Sequence, residues 1–486
     1  MNAPGARRPV TIVVPVYDDM AGLEACVSSL LEHVDFSIDR VILSNDVGPQ
    51  ADDIEARLLE LVGHHAGFTY HRNASNLGFV GNCNHVVFDV DTTDNDVLLL
   101  NSDTIVTAGF LDEMASVLAL SGSHGIVTTR SNNATIASMP LAQRNTNVAR
   151  SPERTLAVWT AVSPLLPRFT VAPVAMGFCY LVRREVIDAV GFFDEAFAPG
   201  YGEENDLCLR AAEAGWSSII ANHALVYHVG STSFSGDRGP RLRFAHEKVL
   251  VERYPHYVAA LQIFLQHDRD PLDAFADAVA PGDDLVRVAV TGPWSETQSD
   301  TLDLALALRE HLSDAGVVTL VVPRRRLSAI RRSAEGLPVV PDTDRRRVWD
   351  VAVHADGSPD LSQLLTMNYL SPRWLVASAP ARGARLTSRT RQQRSRVLAG
   401  LATSLTTASY PADASSADVA DAVRAAAARP VDATALRLRW STVLQTAVAA
   451  GLVTYPRRAS WRSRVSLALA ARSPRTVDRL RAGLHR

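Results

Sequence analysis

Lysine is almost missing from this chain: among 486 residues only Lys248 carries an ε-ammonium, and every other long basic side chain is arginine. A phosphate-cradling P-loop lysine or a Schiff-base lysine is thereby excluded everywhere but at that position. Cysteine is scarce as well. Cys26, Cys83, Cys179 and Cys208 stand far apart without CxxC spacing, which argues against a disulfide framework and a zinc site and suits a reducing cytoplasm. No apolar run reaches the roughly 18 residues of a membrane span; the nearest, residues 440–455, is broken by Ser, Thr and Gln and reads as a packed helix. The opening stretch MNAPGARRPVTIVVPVY has no signal-peptide cleavage pattern and reads as a leader into a strand. A formal net charge of -3 with 21% charged residues gives no global signature of nucleic-acid binding.

What is present is an alternation of strands and helices. VTIVVPV (10–16) is a β-branched run, and Leu23, Cys26, Val27, Leu30 and Leu31 follow at helical spacing. RVILSND, a helix over 54–62, FTYHR, a helix near 81–88 and DVLLLNSD continue the pattern, so an α/β unit with a largely parallel sheet is expected. Residues 266–284 are acidic and contain proline, reading as a linker or connecting helix. Beyond them VRVAVTGP, TLDLALALREHLSDAG, VVTLVVP, VWDVAVHAD and RWLVASAP predict a second, smaller Rossmann-like α/β domain. The expected organisation is a first domain over 1–265, a linker at 266–284, an accessory domain over 285–430 and a helical, arginine-rich segment over 431–486. From Arg457 on, nine arginines face a single acid, Asp478. Such a tail suits anionic headgroups or another protein, and a solvated helical face explains it equally well.

Chemistry gathers at strand ends, where open α/β sheets bind ligands. Three apolar runs end in Pro15-Val16-Tyr17, Asn45-Asp46 and Asn101-Ser102-Asp103. A divalent cation carrying a diphosphate takes one or two protein carboxylates and fills its shell with phosphate and water, a task Asp103 suits. A lone Asp in a turn is commonplace. Residues 199–216, PGYGEENDLCLRAAEAGW, add Glu203, Glu204 and Asp206 at a helix start. Acids there complement the helix dipole, yet like charges this close also raise one another's pKa toward that of a general base. His228 ends a further apolar run before a Gly/Ser-rich loop and would complete a metal site with Asp103, imidazole suiting Mn2+ better than Mg2+.

In order, VVPVY, SND (44–46), NASNLGFVGNCNHVV (73–87), NSDT, SNNATI (131–136), VAMGFCYLVRREVIDAVGFFDEAF (174–197), GYGEENDLCLR and VYHVGSTSF resemble the motifs of the GT-A glycosyltransferases, specifically the inverting family 2 and its bacterial cell-surface polysaccharide and rhamnosyltransferase-like members. The likeness covers about residues 8–255. It implies a GT-A domain in which Asp103 and His228 bind Mn2+ or Mg2+ and Glu204, next to Glu203, is the catalytic base. Asp46 would take the base-binding role, with Pro15, Tyr17, Asn76 and Gly78 around the nucleotide and Asn101 and Ser102 near ribose and phosphates. Asn101 stands at the first position of the usual DxD, Glu204 where Asp is commoner, and NDVGP where a DDGS-like sequence is usual.

The resemblance further implies a nucleotide-diphosphate sugar donor, a glycan or lipid-linked glycan acceptor, and cytoplasmic work, in part at the inner face of a membrane. Residues 285–486 are expected to position acceptor or to form a homo-oligomer. Two other readings are weaker. A sugar-phosphate nucleotidyltransferase wants a Gly-rich loop with Arg and Lys after the first strand, and PVYDDMAGLE has no lysine. A non-catalytic scaffold on the same fold would lack the metal Asp or the base, and both are present.

Overall fold

The computed structural model describes residues 7–139, 151–230, 238–265, 270–293, 300–344, 347–356, 359–378 and 405–453. They form two compact units, one drawn from 7–139 and 166–265, the other from 151–165 and 270–453.

The first unit is a nine-stranded mixed sheet. Its strands are β1 (Val10–Val16), β2 (Arg40–Asn45), β3 (Phe68–Arg72), β4 (Asp96–Leu100), β5 (Thr104–Val106), β6 (His124–Arg130), β7 (Phe169–Ala172), β8 (Cys179–Val182) and β9 (Ser217–His228). They lie in the order β3-β2-β1-β4-β8-β6-β9-β5, with β7 paired to β9. The run from β3 to β4 is parallel, as the strand–helix alternation predicts. β8 then enters antiparallel to β4 and β6, and β5 antiparallel to β9.

Burial on both faces explains the near-continuous apolar runs of β1 and β4. Helix Met20–His33 covers one face with Leu23, Cys26, Val27 and Leu30. Leu31, grouped with that stripe on spacing, instead points to solvent at 37% exposure, one step of about 100° off the buried face. The expected helix at 81–88 is Gly78–His85 continued by a wider turn over Val86–Val90.

The second unit is a six-stranded parallel sheet: β10 (Val286–Thr291), β11 (Gly316–Val322), β12 (Val339–Pro341), β13 (Val351–His354), β14 (Trp374–Ala377) and β15 (Ala408–Tyr410), ordered β12-β11-β10-β13-β14-β15. That is the strand order of the doubly wound dinucleotide folds. Residues 270–280, read as linker or connecting helix, make two helical turns that bury Leu272, Phe275, Ala276 and Ala278. Helix Pro152–Val162 joins this unit although its sequence lies far upstream: the Arg154 guanidinium reaches Asp277 at 3.1 Å and also donates to the Ala280 carbonyl. Helix Ala433–Ala449 buries Leu436, Val443, Leu444 and Ala447. Among the described residues no helix is long and apolar enough to cross a membrane. The arginine-rich residues 457–486 lie outside them.

Candidate active site

β4 stops at Leu100, and Asn101-Ser102-Asp103 turn the chain into β5. The turn is fixed from inside. Thr104 Oγ1 donates to the Asn101 carbonyl at 2.7 Å, the fully buried Cys26 thiol faces the same oxygen at 3.8 Å, and the Asn101 amide donates to the Phe178 carbonyl at 2.9 Å. Burial pushes the Cys26 thiol up to about 12, so it is a neutral packing group. Asp103 is buried at 4% exposure. Because β5 runs antiparallel to β9 with Thr104 opposite His228, the register alone carries the histidine to the carboxylate. Val229 N–H donates to Asp103 O at 3.0 Å, and His228 Nε2 lies 3.4 Å from Asp103 Oδ2.

His228 is held at its backbone and at its ring. Asn132 accepts from the His228 amide through Oδ1 at 2.8 Å and donates to its carbonyl through Nδ2 at 2.9 Å. Phe178 stacks on the ring at 5.2 Å and 15°. His228 Nδ1 lies 2.8 Å from the Asn133 carbonyl, and because a carbonyl only accepts, Nδ1 carries the hydrogen. Two acceptors, Nε2 and Oδ2, therefore face each other and need a cation between them, a proton or a metal ion. Burial pushes the His228 pKa down, but the Asp103 carboxylate outweighs it and the net shift is upward. A metal-ligating histidine uses one nitrogen and donates from the other to a carbonyl or carboxylate, so the donor set fits a divalent cation. Among the described residues no third His, Cys, Asp or Glu joins them; the remaining positions would fall to phosphate oxygens and water.

Opposite stands the helix Glu203–Glu213, capped by Gly202 at φ +98°. Glu204 Oε2 accepts from Gly202 N–H at 3.2 Å and Oε1 from Asn205 Nδ2 at 2.8 Å. A Cβ on Gly177 would come within 3.2 Å of Glu204 Cγ, so a larger residue there would press on the Glu204 side chain. Glu203 is buried at 6% exposure, and its Oε2 has no hydrogen-bond partner among the described residues. Burial first, and the Glu204 charge second, push the Glu203 pKa well above the ordinary 4.5. Burial also raises Glu204, against the pull of surrounding amides. The sequence attributes such a rise to like charges; here desolvation leads. Asp206, the third acid, is ion-paired to Arg210 at 2.7 Å and Arg253 at 2.8 Å and belongs to the framework.

Asp46 follows β2. Its Oδ1 accepts from Asn73 Nδ2 and from the Leu77 amide, each at 2.8 Å, while Asn76 Nδ2 donates to its carbonyl at 2.9 Å and Asn76 Oδ1 accepts from Gly78 N–H at 3.1 Å. Residues 73–78 are thus folded around Asp46, and Gly78 takes φ +74°. Pro15 pairs with Ser44 across β1 and β2, and Tyr17 stands 44% exposed just beyond. A Cβ on Gly48 would sit 1.7 Å from the Tyr17 carbonyl oxygen, which explains the glycine of NDVGP.

Neighbouring residues bring the three groups near one another. A Cβ on Gly78 would meet Pro199 at 3.4 Å, in the segment leading to Glu204; Gly177 touches Glu204, and its neighbour Phe178 stacks on His228. Sequence reasoning named SNNATI and VAMGFCY as motifs without assigning Asn132, Asn133, Gly177 or Phe178 a task. Their work depends on cross-strand register, which local spacing does not carry.

Residues 6–244 match the family model described as glycosyltransferase like family 2. No curated protein matches the chain. Similar solved structures include a mannosyltransferase from Pyrobaculum calidifontis in complex with GDP-Man and Mn2+, at 15% identity over 56% of this chain and 73% of that one, TM-score 0.39. GalNAc-T7 with UDP, GalNAc and Mn2+ shares 12% identity over 57% and 53%, TM-score 0.40, and residues 1–349 of S. aureus TarS share 13% over 56% and 74%, TM-score 0.35. The family match runs from before β1 through the Asp46 loop, the Asp103 turn, Glu204 and His228, so residues 6–244, just under half of the chain, match glycosyltransferase family 2, with a GT-A fold in the first unit.

Proposed function

We propose that this protein is a metal-dependent inverting glycosyltransferase that moves a sugar from a nucleotide-diphosphate donor to a hydroxyl of a glycan or lipid-linked glycan. The observation that carries the reading is the opposed pair Asp103 Oδ2 and His228 Nε2, 3.4 Å apart, near a glutamate held by backbone and side-chain amides. Mn2+ or Mg2+ held there would neutralise the diphosphate leaving group. The chain's own residues do the rest. Burial raises both acids, Glu203 the further, so as the pair titrates Glu204 is the one that offers a carboxylate first. Glu204 takes the proton of the acceptor hydroxyl while that oxygen bonds to the anomeric carbon and the bond to the diphosphate breaks on the opposite face. Asp46, by ordering residues 73–78, shapes the place for the nucleoside beside Pro15 and Tyr17, with Asn101 and Ser102 toward ribose and phosphate.

The acceptor class and a place at the cytoplasmic face of a membrane rest on the arginine-rich sequence of residues 457–486, whose charge suits anionic headgroups. The second unit serves as an accessory domain, positioning acceptor or pairing with another copy.

The test is a panel of nucleotide sugars screened by thermal shift with and without Mn2+, on wild type and Asp103→Ala. One donor should raise the melting temperature only with metal and only in wild type. A shift equal in the mutant would remove Asp103 from the metal site.

A further inference from the structure

One buried histidine has no part in that scheme. His246 lies on helix Arg238–Arg253 at 7% exposure, edge-on to Phe197 at 5.5 Å and 80°. Its Nδ1 is 2.9 Å from the Gly200 carbonyl oxygen and 2.8 Å from the Tyr201 carbonyl oxygen. Both partners only accept, so Nδ1 carries its hydrogen and shares it between two consecutive peptide groups.

Those peptides end at the two glutamates. Among the described residues the only cis bond is Ala198-Pro199, so Gly200–Tyr201 and Tyr201–Gly202 are trans. In a trans peptide the carbonyl and the N–H point in opposite directions. Holding the Tyr201 carbonyl on the His246 side sends Gly202 N–H the other way, to Glu204 Oε2 at 3.2 Å. Holding the Gly200 carbonyl likewise turns the Tyr201 amide toward the Glu203 carboxylate, where it offsets part of the burial effect.

The turn would not keep this shape unaided. Tyr201 sits at φ +76°, a region unfavourable for a bulky residue and kept only where its surroundings enforce it. The same helix supplies that enforcement. Arg243, one turn before His246, lies over the Tyr201 ring at 4.8 Å, and Leu250, one turn after, is 3.2 Å from where a Cβ on Gly202 would stand.

We propose that His246 is a positioning residue for the general base, its single Nδ1 hydrogen fixing two peptide planes whose amides hold Glu203 and Glu204. The inference rests on the reading of Glu204 as that base. A histidine that merely fills the core would make activity follow stability whatever replaced it. A positioning role depends on where the N–H lies: asparagine can place an amide nitrogen near Nδ1, whereas glutamine places it near Nε2.

The experiment uses the full chain, Mn2+ and whichever UDP- or GDP-sugar shifts its melting temperature, reading nucleoside diphosphate release with water as acceptor. His246→Asn should stay within about threefold of wild type, and His246→Gln should lose about 10²-fold in kcat, the scale of a misplaced catalytic group, with KM and the donor-induced shift unchanged. Equal rates for the two variants, or a loss confined to KM, would overturn the role. Should His246→Gln not fold, His246→Asn decides alone: retained turnover supports the role, and lost turnover with an intact donor shift overturns it. Glu204→Gln separates the premises. If that variant turns over like wild type, the base assignment fails; if it is dead while the two His246 variants are equal, only the positioning role falls.

Discussion

At the ends of β4 and β9 in the first unit, Asp103 and His228 leave two acceptor atoms facing across 3.4 Å. At the carboxyl ends of β10 and β13 in the second, the carbonyls of Gly292 and His354 are served by the chain itself. Gln363 Nε2 donates to the Gly292 carbonyl at 3.1 Å, and the Tyr410 hydroxyl donates to the His354 carbonyl at 3.0 Å. Buried charge does not divide so cleanly. In the second unit Arg439 donates both terminal nitrogens to the Pro372 and Ser371 carbonyls at 2.8 Å and covers the Trp374 ring at 4.3 Å, yet its Nε, like Glu203 Oε2 in the first, has no partner among the described residues. An α/β strand order does not by itself make a site; the side chains at the strand ends do.

The comparison breaks most visibly at Glu204. Glu204→Gln loses the basicity and, because its NH2 cannot accept, one of the two contacts from Gly202 N–H and Asn205 Nδ2, and transfer should fall about 10²–10⁴-fold, the usual contribution of a positioned base. Since burial raises the Glu204 pKa and the ionised form is the active one, wild-type kcat should climb with pH through a midpoint above the ordinary 4.5. A pH–rate profile with its acid limb at or below that value would return the base to an exposed carboxylate.

A smaller effect is expected at Asn132, which touches no substrate but grips His228 at both its amide and its carbonyl. Asn132→Ala should weaken metal affinity by about 10–100-fold, as removal of an outer-shell partner does. The readout is the Mn2+ concentration at half-maximal donor shift.

Glu203 sharpens the contrast in stability. Its folded pKa is raised well above 4.5, so as pH rises the unfolded carboxyl ionises first while the folded one keeps its proton. The stability this group contributes is present below about 4.5 and is lost as pH climbs through the folded value. Glu203→Gln has no such loss, so its melting temperature relative to wild type should increase with pH above 4.5. A constant difference would mean that Glu203 is already ionised in the fold.

Much of the first unit was legible because each motif sits where a strand stops: β1, β2 and β4 are apolar runs ended by Tyr17, Asp46 and Asn101-Ser102-Asp103, and a single strand's pattern is enough to place them. Partners brought by register were not. Asn132 and Phe178 reach His228 across β6, β8 and β9, and His246 reaches Tyr201 from a helix some forty residues on. The short strands β12 and β15, three residues each, are too brief to show a period of two, and helix Pro152–Val162 offers no local sign that it packs with residues 277–280.

The mildest test lies in the second unit. Tyr410→Phe removes one hydroxyl and leaves the ring, 7% exposed, in place. The His354 carbonyl loses a donor at 3.0 Å, a change worth about 0.5–1.5 kcal/mol for a neutral hydrogen bond. Thermal unfolding should show a lower melting temperature while donor-induced shift and turnover stay at wild-type levels, because the hydroxyl serves a strand-end carbonyl and no reacting group. Loss of turnover without loss of stability would show that the second sheet's lip takes part in the chemistry, and the division between a working edge and a packed one would fail.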